Sequence, residues 1–523
     1  MIGWCQAGRF SEKKKGWKMI RLHLERDSGT PLFEQIAEAF RERILGGLLL
    51  EGTPLPPERD LAKRLGVNRS TVVRAYGELK ADGFVEARVG RGTVVAAGGT
   101  GLDRESGRAE PLEWDCLLRP ETASCGDLFS EMMVVNGREG VISFAPGFPD
   151  PDLLPVEEFL ALQRDLGISG FRSQFLPSPV EGFAPLREKV AELLADRGID
   201  VPSREVMILS GSQQGLDFAA RALLSPGDTV LAEKSTFFGA LEIFRAAGAR
   251  VAGIPMDRDG MRTDLLEGAI RRHNPRLIYT LPTFQNPTGI TLSLERRREL
   301  LETAGRFGVP VLEDDPYGEL RYEGRPVPPL KALDRRGIVI YLSSFSKVLS
   351  LGFRVGWVSA PAPVIERFSR LKQMTDLHVN TPAQILLDRF LGEGRYGPHL
   401  ERVRKAYREK RDRLAESLTR YRTRIGWDWD LPEGGYYLWC SLPGFFPLRA
   451  FMARAAENRV AFLPGTAFYA DGHPRQSRIR LNFTHVRLEE IEEGVRRLAR
   501  AAEKARENGS GEFGPFEGQE PIV

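Results

Sequence analysis

The sequence has little cysteine: four residues in 523, Cys5, Cys116, Cys125 and Cys440, with no CxxC among them. That excludes a disulfide framework and a cysteine-rich zinc module. Its six histidines form no HxxxH pair, so a histidine-centred metal site has no support. No apolar run approaches the ~20 residues that span a bilayer. Lys13, Lys14 and Lys15 follow a weakly apolar stretch, whereas a secretory leader places its charges first. These absences predict a cytoplasmic protein. An excess of one charge is missing too, with 74 Lys+Arg against 71 Asp+Glu. Any surface for a polyanion must therefore be local. The length suits roughly three to four lobes of ~150 residues.

Such a local surface is found near the N-terminus. Residues 19–97 are almost neutral, with 12 basic against 11 acidic side chains. Yet Leu61–Gly77 carries Lys63, Arg64, Arg69 and Arg74 and no acid, and attraction to phosphate acts locally, within ~10 Å. Thr30-Pro31 predicts a helix start with Thr30 as N-cap and Pro31 first in the helix. Leu32, Phe33, Ile36, Ala37, Phe40, Ile44 and Leu45 follow at helical spacing, and Gly46-Gly47 ends the run. After a Pro-rich turn, a second helix is predicted over Glu58–Leu65, closed by Gly66. A third, capped by Asn68 or Ser70, runs to about Asp82 with Val72, Val73, Tyr76 and Leu79 inward. Ser70, Thr71 and Arg74 lie where a recognition helix meets base edges and phosphates. Phe84–Glu86, the turn Val89-Gly90-Arg91-Gly92 and Thr93–Val95 predict a hairpin with a basic tip, the wing of a winged helix. The string LPPERDLAKRLGVNRSTVVRAYGELKADGFVEARVGRGTVV closely resembles the DNA-binding domain of the GntR family. That resemblance covers residues 31–96 and implies DNA contacts from Arg59, Arg69, Thr71, Arg74, Arg91 and Gly92. Because the pattern begins just after Met19, the natural start is expected there.

Residues 97–113 are Gly-rich and charged without apolar period, and read as a flexible linker. Beyond about residue 180, short apolar segments alternate with helical ones: Val206–Leu209, Thr229–Ala232, Leu277–Tyr279, Val309–Glu313, Ile338–Leu342 and Val355–Ser359. This predicts an α/β sheet covered on both faces, with ligands at the strand ends.

The chemistry-bearing residues fall at those ends. Pyridoxal 5′-phosphate (PLP) requires a lysine for its Schiff base, an acid for the pyridine nitrogen, donors for phosphate and ring hydroxyl, and a flat cover for the ring. Ser343-Ser344-Phe345-Ser346-Lys347 follows a predicted strand and offers Lys347 as the lysine. Seven residues on, Arg354 opens the next predicted strand, so Ser344, Ser346 and Arg354 converge on one phosphate. Glu313-Asp314-Asp315-Pro316-Tyr317 ends another strand and brings Asp314 to the pyridine nitrogen and Tyr317 to the ring oxygen. Gln285-Asn286-Pro287-Thr288-Gly289 aims an amide at the same oxygen. Ser210-Gly211-Ser212-Gln213-Gln214 puts backbone amides at a helix N-terminus, a phosphate seat.

In order and spacing this set resembles the fold-type I PLP enzymes, the aspartate aminotransferase superfamily, across roughly 140–500. The resemblance implies Lys347 for the covalent link and Asp314 for the pyridinium. It implies Asn286 and Tyr317 for the ring oxygen, and Ser212, Gln213, Ser344, Ser346 and Arg354 for the phosphate. Phe237, in EKSTFFGAL, takes the ring-stacking position. Arg480, in SRIRLNFTH, would hold a substrate α-carboxylate, and Gly147, in SFAPGFPDPDLLP, would lie in the segment covering the substrate. Two departures stand out. Many relatives carry a tyrosine where this chain reads Phe175-Leu176-Pro177-Ser178-Pro179, and Phe237 stands where tyrosine is commoner.

The whole layout resembles the MocR subfamily of GntR regulators. The expected fold is multi-domain: an N-terminal α+β winged helix-turn-helix over 19–97, a linker over 98–136, an α/β fold-type I PLP-dependent transferase over 137–505 with a large sheet domain and a smaller α+β domain, and a disordered tail over 506–523. The resemblance implies a homodimer that binds double-stranded DNA and takes an amino acid, an amine or PLP as effector. A working aminotransferase of the 2-aminoadipate or aromatic class, with the winged helix appended, is the alternative. No membrane contact and no metal are expected.

Overall fold

In the computed structural model the described residues are 22, 24, 26, 29–88, 92–96, 139–166, 172–444, 446–470 and 476–507. The expected linker, the hairpin tip with Arg91 and the tail beyond 507 lie outside them. The chain divides into two compact units, Met1–Leu118 and Arg119–Val523.

The first unit is built from α1 (Leu32–Leu45), α2 (Glu58–Leu65), α3 (Arg69–Ala81) and a hairpin of β1 (Val85–Arg88) with β2 (Gly92–Val95). Phe33, Ile36, Phe40 and Ile44 of α1 pack on Leu61 of α2, on Val72, Ala75, Tyr76 and Leu79 of α3, and on Val85 and Val95 of the hairpin. The 3.6-residue period selects that set. It also corrects one expectation: Val73 points outward, 43% exposed, and Ala75 takes the inward place. Helix α1 begins one residue later than expected. Pro31, at ψ 138°, is still extended and occupies the N-cap position without a side-chain bond. Asn68 is the N-cap of α3, also without one. Gly66 closes α2 in the left-handed region at φ 63°, where a side chain is strained. The hairpin pairs Val85 with Val95 and Arg88 with Gly92, and the buried Tyr76 hydroxyl donates to the Pro56 carbonyl at 2.9 Å.

The second unit holds a seven-stranded sheet. Its strands are β3 (Val206–Leu209), β4 (Thr229–Glu233), β5 (Arg250–Ile254), β6 (Leu277–Thr280), β7 (Val311–Asp314), β8 (Val339–Ser344) and β9 (Gly356–Ser359), in spatial order 3-9-8-7-6-4-5. All neighbours are parallel except β9, which runs antiparallel to both β3 and β8. Strands β3, β4, β6, β7, β8 and β9 are buried throughout. Burial on both faces is why they read as continuous apolar runs. Edge strand β5 is mostly half-buried or exposed, and its run Val251-Ala252-Gly253-Ile254 is built largely of small residues. Strand β9 starts at Gly356 rather than at the expected Val355, and Arg354, at φ 51°, lies in a left-handed turn ahead of it.

Helix α4 (Ser212–Leu223) follows β3, α5 (Phe238–Ala246) follows β4, and α6 (Ala362–Thr375) packs on α4. A smaller sheet of β10 (Tyr437–Ser441), β11 (Leu463–Pro464) and β12 (Arg478–Asn482), ordered 10-12-11, lies beside α7 (Tyr396–Thr419) and α8 (Ile491–Glu507). Helix α8 carries the fold to Glu507, two residues past the expected boundary.

Three glycines set the close approaches behind the site. A Cβ on Gly215 of α4 would stand 2.5 Å from Leu342 Cδ2 of β8. On Gly356 it would stand 2.7 Å from the Ser343 carbonyl and 3.0 Å from Gly211 Cα. Gly215→Val should therefore overpack the helix–sheet contact and cost about 1–3 kcal/mol. Urea unfolding of the full chain would measure it, and an unchanged midpoint would contradict the packing.

Candidate functional site

The C-terminal ends of β7 and β8 and the loop after β3 meet at one place. Asp314, the last residue of β7, is buried. Its Oδ2 accepts from the Tyr279 hydroxyl of β6 at 3.0 Å, while Oδ1 is buried without a partner. Burial, aided by the neighbouring Asp315 and Glu233, pushes this carboxyl up to about 7. A buried acceptor lacking a donor is costly, and a protonated ring nitrogen is a group that satisfies it.

Lys347 ends a short 3-10 turn immediately after β8. Its Nζ donates to the Gly147 carbonyl at 2.6 Å and lies 5.7 Å from the Tyr436 ring centre. The Tyr436 hydroxyl holds the Lys347 carbonyl at 2.5 Å. Burial, with Arg480 and Arg354 nearby, brings the amine down to about 8, so a neutral, nucleophilic form lies within reach near neutral pH.

In the turn that precedes Lys347, the Ser344 hydroxyl donates to Ser346 Oγ at 2.8 Å, and the Ser346 amide donates to Ser344 Oγ at 3.0 Å. The Arg354 guanidinium reaches the Ser210 carbonyl at 2.9 Å. Gly211, at φ 88°, precedes α4, and a Cβ there would stand 2.7 Å from Arg354 Nη2. Ser212 begins that helix, so its free amides face the same place. Asp376 fixes the loop from behind: it accepts from Ser210 Oγ at 3.1 Å, Gln214 Nε2 at 2.9 Å and the buried Lys372 at 2.7 Å. Phe237 is the N-cap of α5, and its ring lies within 2.6 Å of the point where a Gly239 Cβ would stand; Gln213 Nε2 lies 3.3 Å from that point.

Arg480 of β12 is buried and donates to Asn286 Oδ1 at 3.0 Å and to the Ala145 carbonyl at 2.7 Å. Its Nε has no partner, and among the described residues it has no ion pair. The guanidinium stacks 4.1 Å from the centre of the Tyr437 ring. The Tyr437 and Tyr317 hydroxyls bond at 2.9 Å, and burial lifts Tyr317 well above its usual titration range. A Cβ on Gly147 would lie 2.2 Å from the Tyr437 hydroxyl, so only glycine passes there. The residues present fit PLP and an α-carboxylate: an unpartnered acceptor, a low-pKa lysine, a cup of hydroxyls, amides and arginine, and a buried arginine with a spare donor.

Contacts link Lys347, Gly147, Tyr317, Asn286 and Arg480 in one chain and Ser344, Ser346 and Arg354 in the adjoining turn. Sequence reasoning missed Tyr437, Tyr436 and Tyr279. The first two follow Gly434-Gly435, where a Cβ would strike the Leu320 carbonyl at 2.2 Å and Phe284 at 2.6 Å. That glycine pair was the available signal. Tyr279 carried none beyond its strand.

In the first unit, Arg59, Arg69, Ser70 and Arg74 are exposed and Thr71 is half-buried. Arg69 is paired with Glu58 at 2.9 Å, and the Arg74 guanidinium lies 3.7 Å over the Phe33 ring. The first turn of α3 holds no acid. Gly92 opens β2 at φ 77°.

Two family models match: aminotransferase class I and II over residues 140–498 and the bacterial regulatory proteins of the gntR family over 32–95. The class so defined joins a DNA-binding module to an aminotransferase fold. The chain is 34% identical over 481 residues to the HTH-type transcriptional regulator YisV of Bacillus subtilis, covering 92% of this chain and 97% of that one. It is 30% identical to the probable rhizopine catabolism regulatory protein MocR of Rhizobium meliloti, covering 92% and 95%. Among solved structures, the α-aminoadipate aminotransferase LysN of Thermus thermophilus, complexed with N-(5′-phosphopyridoxyl)-L-leucine, matches with a TM-score of 0.70 at 36% identity, over 76% of this chain and all of that one. The chain belongs to the MocR subfamily of gntR-type regulators, with an aminotransferase class I and II domain whose cofactor is PLP. Among the described residues no helix is long and apolar enough to cross a membrane.

The raised Asp314 pKa makes the cofactor-free protein pH-sensitive. A carboxyl held at about 7, against 3.8 ordinarily, binds its proton more tightly folded than unfolded. It therefore stabilises the fold fully at low pH, and that stabilisation is lost as pH rises from about 4 through 7. The span is on the order of 4 kcal/mol. Cofactor-free Asp314→Asn should thus gain stability over the parent at pH 8 and not at pH 4. Thermal unfolding at the two pH values tests this, and equal shifts at both would refute the buried-acid reading.

Proposed function

We propose that this cytoplasmic protein is a transcription regulator that binds double-stranded DNA through α3 and the wing and senses an amino acid, an amine or PLP itself in its aminotransferase-like unit. The observation that carries the sensing half is the buried Arg480 with its spare Nε beside Lys347 and Asp314. PLP, when bound, supplies an electrophilic carbonyl and an electron-withdrawing ring.

The chain's own residues do the rest. Asp314 Oδ1 would accept the ring N–H, with Tyr279 orienting the carboxylate through Oδ2. Asn286 and Tyr317 would hold the ring oxygen, and Phe237 would cover the ring. Ser212, Gln213, Ser344, Ser346 and Arg354 would hold the phosphate. Arg480 would take the ligand carboxylate, and Gly147 admits the Tyr437 hydroxyl beside it. Lys347 Nζ, in its neutral form, would be the group for the covalent link.

Two carbonyls of the segment preceding the site, Ala145 and Gly147, are held by Arg480 and Lys347. A carboxylate on Arg480 would compete with the first. With PLP bound, Lys347 would be engaged by the cofactor, and an amine-bearing ligand that displaced it would free Nζ again for the second. The ligand would thereby favour a different state of segment 144–150, and a regulator needs such differential binding. A homodimer accords with the exposed apolar residues Phe175, Leu176, Met374 and Leu377, the last two flanking Asp376 behind the Ser210 loop.

The second reading, a turning-over aminotransferase, is favoured by the co-existence of Lys347, Asp314 and Arg480 with an orphan acceptor and an orphan donor. One titration separates the two. Full-length protein is mixed with a panel of amino acids and amines, and its visible absorbance, pyridoxamine phosphate yield and affinity for DNA upstream of its own gene are followed. Regulation predicts that a ligand changes both absorbance and DNA affinity; DNA binding no better than to random duplex leaves the enzyme reading. Lys347→Ala should lose the visible band of the covalent link while retaining non-covalent cofactor. Arg480→Gln should weaken the response to carboxylate-bearing ligands at least tenfold while keeping that band. A response surviving unchanged in Arg480→Gln would remove Arg480 from ligand binding.

A further inference from the structure

The third helix carries an outward side chain that its own fold does not need. Among the large apolar residues of α3, Val72, Tyr76 and Leu79 are buried, whereas Val73 is 43% exposed. A β-branched residue on a solvent-facing helix position gains no packing and lowers helix propensity. Its neighbours on that face define a surface. Arg69 lies one turn before it and Ser70 three residues before it, spacings that place side chains side by side. One turn after it, the exposed Gly77 has no side chain, and among the described residues nothing lies within 4 Å of where its Cβ would stand. The first turn holds no acid. Arg69 is drawn to Glu58 and Arg74 lies over Phe33. This leaves Val73 as an apolar point on a basic, polar face.

We propose that Val73 reads a base: its methyl groups meet the C5-methyl of a thymine in the major groove, giving the site a preference for A·T pairs at that position. The proposal rests on the DNA-binding reading above. Its chemistry follows from the groove itself. Thymine is the one base that presents a methyl there, and an apolar side chain is its matching contact. The basic neighbours supply phosphate attraction without sequence information, so a methyl contact adds discrimination rather than general affinity. A protein surface, the other occupant an apolar side chain can meet, does not explain a first helical turn that carries Arg69 and no acid.

The test uses the full-length protein. Preferred duplexes are selected from a random-sequence pool, and each selected thymine is replaced in turn by deoxyuridine, which lacks only the C5-methyl. At one thymine per half-site the parent should lose affinity about fourfold, the equivalent of one buried methyl group. Val73→Ala should bind the thymine and uracil duplexes equally, and Val73→Ile should restore a preference for thymine. Because Val73 is exposed, these variants should unfold at the parental midpoint, which separates lost reading from lost fold. A uracil penalty of the same size in parent and Val73→Ala assigns the methyl contact to another residue and overturns the proposal. So does a parent that binds its selected sequence with no uracil penalty anywhere. A parent that selects no sequence at all fails at the DNA-binding reading, a distinguishable outcome that removes this proposal with it.

Discussion

Arg480 brings a positive charge into the interior of the second unit with no carboxylate beside it among the described residues. Desolvating such a charge is expensive unless several groups solvate it. Here the Asn286 amide oxygen, the Ala145 carbonyl and the Tyr437 ring do so, and each comes from a different part of the chain. The loop after β6 must turn at Asn286, the segment before the large sheet must pass close enough to offer Ala145, and β10 must place Tyr437 face-on. The small sheet's register, with Trp439 opposite Arg480 and Tyr437 opposite Asn482, delivers these groups together. One donor remains unmatched. That spare N–H beside a charged guanidinium is what the proposed α-carboxylate would accept from.

A complementary constraint acts at Asp314. Sheet burial makes the acid weak, and Tyr279 pulls the other way by donating to one oxygen. The remaining oxygen is fixed in direction and short of a donor. Lys347 shows the opposite displacement, its amine lowered toward neutrality. An acid raised and a base lowered within one site is the arrangement that poises both near physiological pH. Neither shift depends on an exotic contact. Both follow from putting ionisable groups at the C-terminal ends of buried parallel strands, where α/β sheets bind ligands.

Much of this was legible in the sequence because the signals were local. Buried strands read as apolar runs, helix ends as Gly66 and the Pro-rich turn, and the motifs around Asn286, Asp314 and Lys347 as short strings beside strand ends. What was not legible depended on distance in three dimensions. Tyr437 and Tyr279 look like ordinary strand aromatics until their partners, hundreds or tens of residues away, are in place. Val73 was misplaced because both valines read as inward, whereas the period through Val72, Ala75, Tyr76 and Leu79 leaves Val73 on the outer face. Edge strand β5, with small residues Ala252 and Gly253 at its centre, is covered less than the other edge strand β3 and gives a weaker signal. Arg354 looked like the first residue of a strand, but its task at the Ser210 carbonyl bends the backbone into the left-handed region, a conformation that propensity does not anticipate.

The same contacts bear on how a ligand at the proposed site would act on segment 144–150. Segment 144–150 is tied at nearly every residue: Phe144 through β12, Ala145 to Arg480, Gly147 to Lys347, Phe148 to Thr484, and Asp150 to Tyr407 and Lys410. The outer ties are made by groups outside the proposed ligand site. The two inner ties are made by Arg480 and Lys347, the groups that the proposed ligand and cofactor would engage. A charge-assisted hydrogen bond contributes about 1.5–3 kcal/mol net, and couplings between allosteric sites typically amount to 1–3 kcal/mol. Exchanging one inner tie for a ligand carboxylate is therefore of the right size to move a two-state equilibrium by a factor of ten or more.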